Sequence, residues 1–294
     1  MTEFTAESLK FDGGAGPIAA DKWSPASTGN TRGTVLMLHG GGQTRHSWDR
    51  AAKILAHEGW VVYTLDARGH GDSAWDAEGD YTVDALAQDL RLVIDQISAT
   101  EGRTVRPVLF GASMGGMTGM VAEGEYPGLC RALVLVDITP KVRPDGLARI
   151  HDFMRGSPNG FANLEEAADA VAAYQPHRTR PKNIEGLRRN VREGSDGRLY
   201  WHWDPAFTRL GANLDKPQDN HDRLTAAANH IAVPTLLVYG AESDIVGADG
   251  IDELLALIPP ARAVAVAAAG HMVAGDDNAV FVQAVSGFLD ELGS

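Results

Sequence analysis

The sequence predicts an α/β fold, built on a doubly wound, mostly parallel sheet with a helical cap insertion. Three observations support this prediction: short apolar runs alternate with helical segments, polar turns follow the apolar runs, and one long helical stretch interrupts the alternation. Continuous apolar runs are typical of parallel strands that are buried on both faces. With 294 residues, the chain is long enough to bury one large core and to carry an insertion.

Two weak opening strands, at residues 4–10 and 18–23, precede the alternation. The first half of the sheet then continues with strands at residues 34–38, 60–65, 108–110 and 133–136, and the predicted helices here are residues 47–57, 83–97 and 117–126. Right-handed crossovers bring the C-terminal ends of parallel strands to one edge of the sheet. The polar segments that follow these strands should therefore meet at that edge, where open α/β sheets bind ligands.

The alternation stops at Thr139-Pro140, and residues 139–225 hold helical segments with no strand-like run. We interpret this stretch as a helical cap insertion over the C-terminal edge of the sheet, so that the core consists of residues 1–138 and 226–294. The sheet then resumes with strands at residues 234–239 and 263–266, and the helices that follow them are residues 250–258 and 278–292.

The amino-acid composition disfavours some classes of binding partner. A net charge of -13 disfavours nucleic acid and anionic membranes, because both select basic surfaces. No apolar stretch approaches the roughly 20 residues that cross a bilayer, and the N-terminus lacks the basic start and apolar run of a secretion signal. Cys130 is the only cysteine, which excludes an intrachain disulfide and fits a reducing compartment. We expect a soluble cytoplasmic protein with a small-molecule substrate, and its oligomeric state stays open.

Ser113 is the central residue of the functional hypothesis. It lies in Gly111-Ala112-Ser113-Met114-Gly115, which fits the pattern G-x-S-x-G between a predicted strand and a predicted helix. Glycine two residues before and after the serine tolerates the crowding of such a tight turn. The turn would expose the Ser113 hydroxyl above the sheet edge, where the N-terminus of the next helix also points. Because ordinary glycine-rich turns also fit this pattern, the downstream sequence decides between the two interpretations.

A serine nucleophile needs an adjacent base that a third group orients. His271 is the candidate base, on a loop between the last predicted strand and the last predicted helix. Asp244, in the loop after the preceding strand, is the candidate acid. The order Ser113, Asp244, His271 along the chain is the one expected of a G-x-S-x-G hydrolase. Asp137 and Glu242 are alternative acids.

Five stretches carry a resemblance that covers nearly the whole chain. They are LMLHGGG at residues 36–42, DARGHGDS at 66–73, GASMGG at 111–116, LLVYGAESDIV at 236–246 and AGHM at 269–272. In these stretches the sequence resembles the α/β-hydrolase fold family. The resemblance implies that the N–H groups of Gly41 and Met114 form an oxyanion hole, and that the ring of His39 braces the loop that carries Gly41. In some members of the family the acid follows the earlier strand, which keeps Asp137 as an alternative to Asp244.

The aromatic residues of the insertion are candidates for the wall of a substrate pocket, although large aromatics are usually core residues. The predicted pocket residues are Trp48, Tyr200, Trp201 and Trp203, with Phe207 as a further candidate. The sequence contains no H-E-x-x-H pattern or other tight ligand cluster, and no P-loop or G-x-G-x-x-G in a suitable context. We therefore expect neither a metal nor a cofactor.

The predicted activity is the cofactor-free hydrolysis of a small or medium carboxylic ester through an acyl-enzyme on Ser113. Similar families use the same triad to cleave lactones or C–C bonds, or to make peracids as non-haem haloperoxidases do, and these activities stay open. Serine at this position disfavours the epoxide hydrolase and haloalkane dehalogenase branches, which use an aspartate nucleophile. The alternative from a different class of protein is a ligand receptor that retains the triad without turnover.

Overall fold

Eight strands form the main sheet in a computed structural model that describes residues 4–26, 31–175, 180, 183–209, 217–267, 269–271 and 278–293. The strands in these residues are β1 (Phe4–Gly13), β2 (Gly16–Pro25), β3 (Gly33–Leu38), β4 (Trp60–Leu65), β5 (Val108–Ala112), β6 (Ala132–Val136), β7 (Val191–Glu193), β8 (Leu199–Trp201), β9 (Thr235–Gly240) and β10 (Ala261–Val266). The order in the main sheet is β1-β2-β4-β3-β5-β6-β9-β10, and β7 and β8 pair separately with each other.

In the core, helices alternate with strands as the sequence pattern predicts. The α-helices of the described residues are α1 (Asp49–His57), α2 (Val83–Glu101), α3 (Met114–Glu125), α4 (Pro144–Arg155), α5 (Leu164–Tyr174), α6 (Ala206–Arg209), α7 (Pro217–Ala228), α8 (Ala248–Leu257) and α9 (Asn278–Gly293). Thr82 caps the N-terminus of α2, where its side chain accepts the N–H of Ala85, and Gly102 caps the C-terminus with a φ of 63°. None of the described helices combines the length and the apolar character needed to cross a bilayer.

The prediction of a doubly wound, mostly parallel sheet is confirmed. Every strand pair from β4 across to β10 is parallel, whereas β1 and β2 form an antiparallel hairpin at one end of the sheet. Alternate side chains of β5 enter two different cores. Leu109 packs in a cluster with residues of α2 and α3, whereas Val108 and Phe110 pack in a cluster with residues of α1 and α9. Helices on both faces therefore explain why this strand is apolar along its length.

The described part of the segment between β6 and β9 contains the helices α4 to α7, and it also contains the short hairpin of β7 and β8. The expectation of no strand in this stretch is therefore wrong. Each of these strands has only three residues, too few for an alternating pattern to be visible in the sequence. The predicted boundary at residue 225 falls inside α7, whose Leu224 and Ala227 are buried with residues of α2 and α3. The helix α7 thus connects the insertion with the core.

Candidate active site

Ser113 lies at a backbone turn between β5 and α3 that few sequences can form. Its φ of 45° and ψ of -112° lie in a region that residues other than glycine rarely adopt. A Cβ on Gly111 would lie 2.4 Å from the carbonyl oxygen of Gly115, and a Cβ on Gly115 would lie 2.5 Å from that of Leu38. Backbone contacts therefore require both glycines of the G-x-S-x-G pattern. A strained residue that its surroundings hold in place is common at functional sites.

Gly111→Ala should lower the free energy of unfolding by about 2–3 kcal/mol, because the added methyl group meets backbone atoms that cannot move away. Gly287→Ala is the matched control. A Cβ at this exposed position of α9 has no neighbour within 4 Å, and alanine should stabilise the helix by about 1 kcal/mol. Urea unfolding of both variants measures the difference. A Gly111→Ala variant as stable as the wild type would contradict the crowding of this turn.

Met114 follows Ser113 directly and is the first residue of α3. The first N–H groups of a helix have no partner inside the helix, and together they carry a partial positive charge. Met114 and Ser113 both border a cavity of about 730 Å³. The predicted use of the Met114 N–H as an oxyanion donor stays a prediction, and the position is suitable for it.

Gly41 lies in the loop after β3, where most of the N–H groups have protein partners. The N–H of Gly40 donates to Gln43 Oε1 at 3.0 Å, and that of Gly42 donates to His70 Nε2 at 3.2 Å. The N–H of Gln43 donates to the carbonyl oxygen of Gly40 at 3.1 Å. The Gly41 N–H makes no hydrogen bond within the described part of the chain, and Gly41 borders the same cavity. It is therefore available to an oxygen atom of a ligand.

His271 is held by a fully buried carboxylate. Its Nδ1 lies 2.7 Å from Oδ2 of Asp137, whose side chain has no exposed surface. Asp137 also accepts the N–H of Gly240 at 2.9 Å and the hydroxyl of Ser243 at 2.6 Å. Its φ of 50° is a second strained backbone angle at this edge of the sheet. Because Nδ1–H donates to the carboxylate, Nε2 of His271 is left to accept a proton.

The structure corrects the prediction that Asp244 orients His271. Oδ2 of Asp244 instead forms an ion pair with Arg149 on α4, and the Asp244 side chain is 29% exposed. The turn after β9 directs Ser243, one residue earlier, toward Asp137. Oγ of Ser243 also accepts two backbone N–H groups of the same turn, which fixes Asp244 on the outer side.

Ser113 and His271 border one cavity of about 730 Å³ beneath the insertion. Much of the cavity wall is apolar, and it includes Leu86, Met117, Ile138, Leu147, Ile150, Phe153, Met154, Val171, Leu187 and Leu224. No hydrogen bond joins the side chains of Ser113 and His271 among the described residues. Hydrogen bonds of this kind are often long in a free enzyme and shorten when substrate binds.

Two of the four predicted pocket aromatics line the cavity. Trp201 and Trp203 border it, with their rings stacked at 5.1 Å and 13°. Trp48 is instead fully buried in the core beside α9, and the hydroxyl of Tyr200 donates to Asp196 within the hairpin of β7 and β8. For Trp48 and Tyr200 the prediction is therefore wrong. Successive side chains of a strand point to opposite sides, so Tyr200 faces away when Trp201 faces the cavity.

The insertion contributes further aromatic residues to the cavity. Phe207, the additional candidate, borders it, and so do Phe153 and Tyr174, which were not predicted from the sequence. The rings of Phe153 and Tyr174 stack at 4.4 Å and 20°. Burial raises the pKa of Tyr174 to about 12, so this phenol is neutral at pH 7. A helical pattern alone does not distinguish an aromatic side chain in a core from one at a cavity wall.

The cationic side chains at the cavity wall are paired with carboxylates. Nζ of Lys141 lies 2.8 Å from Oδ2 of Asp249. The guanidinium of Arg223 lies 2.6 Å from Asp84 and also contacts Glu125. Lys141 and Arg223 are the lysine and arginine that border the cavity in the described residues. The part of the wall that the described residues form therefore offers no excess positive charge to an anionic ligand.

Three buried histidines surround the loop that contains Gly41. The ring of His70 lies 5.2 Å from that of His39 and 5.8 Å from that of His202. Burial lowers the pKa of all three imidazoles, that of His202 to about 4, so they are neutral at pH 7. Nδ1 of His39 donates to the carbonyl oxygen of Gly40 at 2.8 Å. The imidazole of His39 thus braces the loop, as the resemblance implies.

Asp21, His46 and Asp49 form a compact group that the sequence pattern did not indicate. Their potential ligand atoms lie within 4.8 Å of one another. Nε of Arg45 donates to Asp21 at 3.0 Å, and Nη1 of Arg189 donates to Asp49 at 2.7 Å. Because the two guanidinium groups neutralise the two carboxylates, we interpret this group as an ion-pair network.

Known proteins resemble this chain over most of its length. A family model for the alpha/beta hydrolase fold matches residues 33–277. Esterase Rv0045c of Mycobacterium tuberculosis is 29% identical over 283 residues, which cover 94% of this chain and 87% of that protein. The 2-(acetamidomethylene)succinate hydrolase of Mesorhizobium japonicum is 26% identical over 240 residues, which cover 81% of each chain. The crystal structure of an alpha/beta hydrolase from Novosphingobium aromaticivorans has a TM-score of 0.77 and 25% identity, covering 99% of both chains.

The family match spans the sheet from β3 onward and contains Ser113, Asp137 and His271. The strand order and the parallel register agree with that assignment. The chain therefore belongs to the α/β-hydrolase fold family.

Proposed function

We propose that the chain is a cofactor-free serine hydrolase that cleaves a small or medium, uncharged carboxylic ester through an acyl-enzyme on Ser113. One arrangement carries the proposal: Ser113 on its strained turn and His271 on its buried carboxylate border a single large cavity. A serine hydroxyl becomes a good nucleophile beside an oriented base of this kind. Similarity to an esterase over nearly the whole chain supports the same class of reaction.

In the proposed reaction, Oγ of Ser113 attacks the ester carbonyl while Nε2 of His271 takes the hydroxyl proton. The N–H groups of Gly41 and Met114 stabilise the negative charge on the carbonyl oxygen, each by about 3–4 kcal/mol. The imidazolium, which Asp137 stabilises, gives its proton to the leaving alcohol. The same nitrogen then activates a water molecule, which releases the acid and restores the serine.

The charges of the cavity wall favour an uncharged acyl group. Lys141 and Arg223 already have carboxylate partners, and Asp249 and Glu253 also border the cavity. A carboxylate on the substrate would therefore lose its hydration without gaining a free cation. This argues against a succinate derivative of the kind in the name of the Mesorhizobium relative.

Fluorophosphonate labelling followed by a matched ester pair tests the proposal. We expect the probe to label Ser113 of the wild-type protein and p-nitrophenyl butyrate to be hydrolysed. Mono-p-nitrophenyl succinate has the same number of acyl carbons and a terminal carboxylate. Its kcat/KM should be at least about tenfold lower, equivalent to about 1.4 kcal/mol.

The outcomes separate the remaining alternatives. Absence of labelling would favour a ligand receptor over an enzyme. If the probe labels Ser113 but a lactone or a dienone is turned over faster than any ester, Ser113 remains the proposed nucleophile and the proposed substrate class changes. A succinate ester hydrolysed as fast as the butyrate ester would contradict the charge argument.

A further inference from the structure

We propose that His202 is a positioning residue that couples the insertion to the oxyanion loop, which we define as residues 39–43. Its imidazole bridges this loop and the segment after β4, and thereby sets the direction of the Gly41 N–H. The inference rests on the proposed function, because it concerns the step in which the carbonyl oxygen of the substrate becomes negative.

His202 is 4% exposed, and its side chain contacts two backbone segments of the core. Its Nδ1 accepts the N–H of Gly71 at 2.7 Å, and its Nε2 donates to the carbonyl oxygen of Gly42 at 3.3 Å. His202 directly follows β8 and is 160 residues away from Gly42 along the chain. The imidazole is therefore a direct link between the insertion and the oxyanion loop.

His70 holds Gly42 from the other side. Its Nε2 accepts the N–H of Gly42 at 3.2 Å, and its Nδ1 donates to the carbonyl oxygen of Arg68 at 3.1 Å. Imidazoles thus bind both the N–H and the carbonyl oxygen of Gly42. The φ of 73° at this residue favours glycine, so the loop conformation needs both glycine and these two partners.

These contacts decide how Gly41 is oriented. On its N-terminal side, Gly40 is fixed by its two hydrogen bonds to Gln43. On its C-terminal side, Gly42 is fixed by the two histidines. A shift of Gly42 would change the backbone angles of Gly41 and the direction of its N–H. An oxyanion donor must point at the developing charge to be effective.

The bridge needs a neutral imidazole with its proton on Nε2. Burial is the main cause that lowers the pKa of His202 to about 4; the nearby His39 lowers it further, while Asp66 and Asp72 oppose the shift. A protonated ring has two donors and could not accept the N–H of Gly71. The bridge is therefore intact at the neutral pH at which the ester assays are run.

The chain neighbours of His202 connect the bridge to the substrate cavity. Trp201 and Trp203 border the cavity on either side of it in sequence. The ring of Trp203 also packs against the oxyanion loop, since a Cβ on Gly42 would lie 3.3 Å from it. A substrate that packs against Trp203 therefore contacts the residue next to His202. Through this contact, substrate binding in the cavity is linked to the orientation of the Gly41 N–H.

His202→Asn and His202→Gln separate the two hydrogen bonds of the bridge. The asparagine amide can replace Nδ1 but does not reach Gly42, whereas the glutamine amide reaches the position of Nε2. In His202→Asn, kcat for p-nitrophenyl butyrate should fall about 10- to 100-fold with KM within about twofold of wild type. In His202→Gln, kcat should fall less than about fivefold.

A boronic acid reports on the oxyanion hole directly. The adduct of n-butylboronic acid with Ser113 carries a negative tetrahedral boron, so its inhibition constant should weaken in parallel with kcat in His202→Asn. Arg189→Gln is the matched control, because it removes a different contact between insertion and core, the 2.7 Å pair with Asp49. Its kcat, KM and boronate inhibition should equal those of the wild type.

The outcomes distinguish this inference from the proposed function. Fluorophosphonate titration gives the concentration of reactive Ser113 in each variant, and kcat is calculated per reactive site. An unchanged kcat per site in His202→Asn, even with a lower thermal midpoint, would show a merely structural role and overturn the proposal. A wild-type protein that the probe does not label would overturn the proposed function itself, and with it this inference.

Histidine ¹⁵N spectra of the wild-type protein provide a test that does not depend on the folding of a variant. We expect the Nε2–H tautomer for His202 and the Nδ1–H tautomer for His70. The resonances of His202 should shift when n-butylboronic acid binds. The opposite tautomer for His202, or resonances that the boronate leaves unmoved, would overturn the proposal.

Discussion

Ser113→Ala should lower kcat/KM for p-nitrophenyl butyrate by at least about 10⁴-fold, with a thermal midpoint within about 2 °C of wild type. The substitution removes the oxygen proposed as the nucleophile and keeps the Cβ, so the backbone strain at a φ of 45° is the same in both proteins. In the proposed mechanism no acyl-enzyme can form without this hydroxyl, and what remains is rate enhancement by the proposed oxyanion donors and by binding. Fluorophosphonate labelling should disappear in the same variant.

Ser286→Ala is the control for loss of a serine hydroxyl elsewhere. This serine lies on α9, where its Oγ donates to the carbonyl oxygen of Val282 at 2.8 Å, and it does not border the cavity. Its kcat/KM should equal that of the wild type. Turnover above about one tenth of the wild-type rate in Ser113→Ala would exclude the serine as the nucleophile, because loss of the nucleophile costs orders of magnitude more.

Asp137→Asn should reduce kcat by about 10²- to 10⁴-fold, whereas Asp244→Asn should leave it within about threefold. An asparagine at 137 can present its N–H₂ group to Nδ1 of His271, which favours the wrong tautomer for accepting the serine proton. Asp244 loses only its pair with Arg149, which is 61% exposed. An exposed ion pair stabilises a protein by only about 0–1 kcal/mol.

Steady-state kinetics of both variants with p-nitrophenyl butyrate compare the two carboxylates directly. Arg149→Gln tests the same ion pair from its other side, and it should behave like Asp244→Asn. A large loss of kcat in Asp244→Asn together with a near-normal Asp137→Asn would return the role of the acid to the residue that the chain order favours. Thermal midpoints of all three variants separate misfolding from a chemical effect.

Much of the fold was predictable from local patterns. The strand predicted at residues 60–65 is β4 with the same bounds, and the strand predicted at 133–136 is β6 with one further residue. Strands that are buried on both faces have no polar side, so an apolar run of this length between turns marks them clearly. The hairpin of β7 and β8 was not predictable, because three-residue strands carry no period.

The candidate site was predictable where a single residue sits in a constrained turn. Ser113 lies between Gly111 and Gly115, where any side chain would collide with backbone atoms. His271 lies on the loop after the last strand of the sheet. The choice of carboxylate was less constrained, because Asp137 and Asp244 both follow strands that end at the same edge. A signal for Asp137 was present, since it comes directly after an entirely buried strand.

The amino-acid sequence alone determined the class of fold, the position of the serine turn and the choice of His271 as the histidine of the candidate site. These depend on local patterns: the burial of short apolar runs, and glycines where the backbone is crowded. Only the tertiary structure decided that Asp137 holds His271, that Trp201 and Trp203 face the cavity, and that His202 binds the oxyanion loop. The reason is that each of these is a contact between segments far apart in the chain, and side-chain direction at such contacts is set by packing.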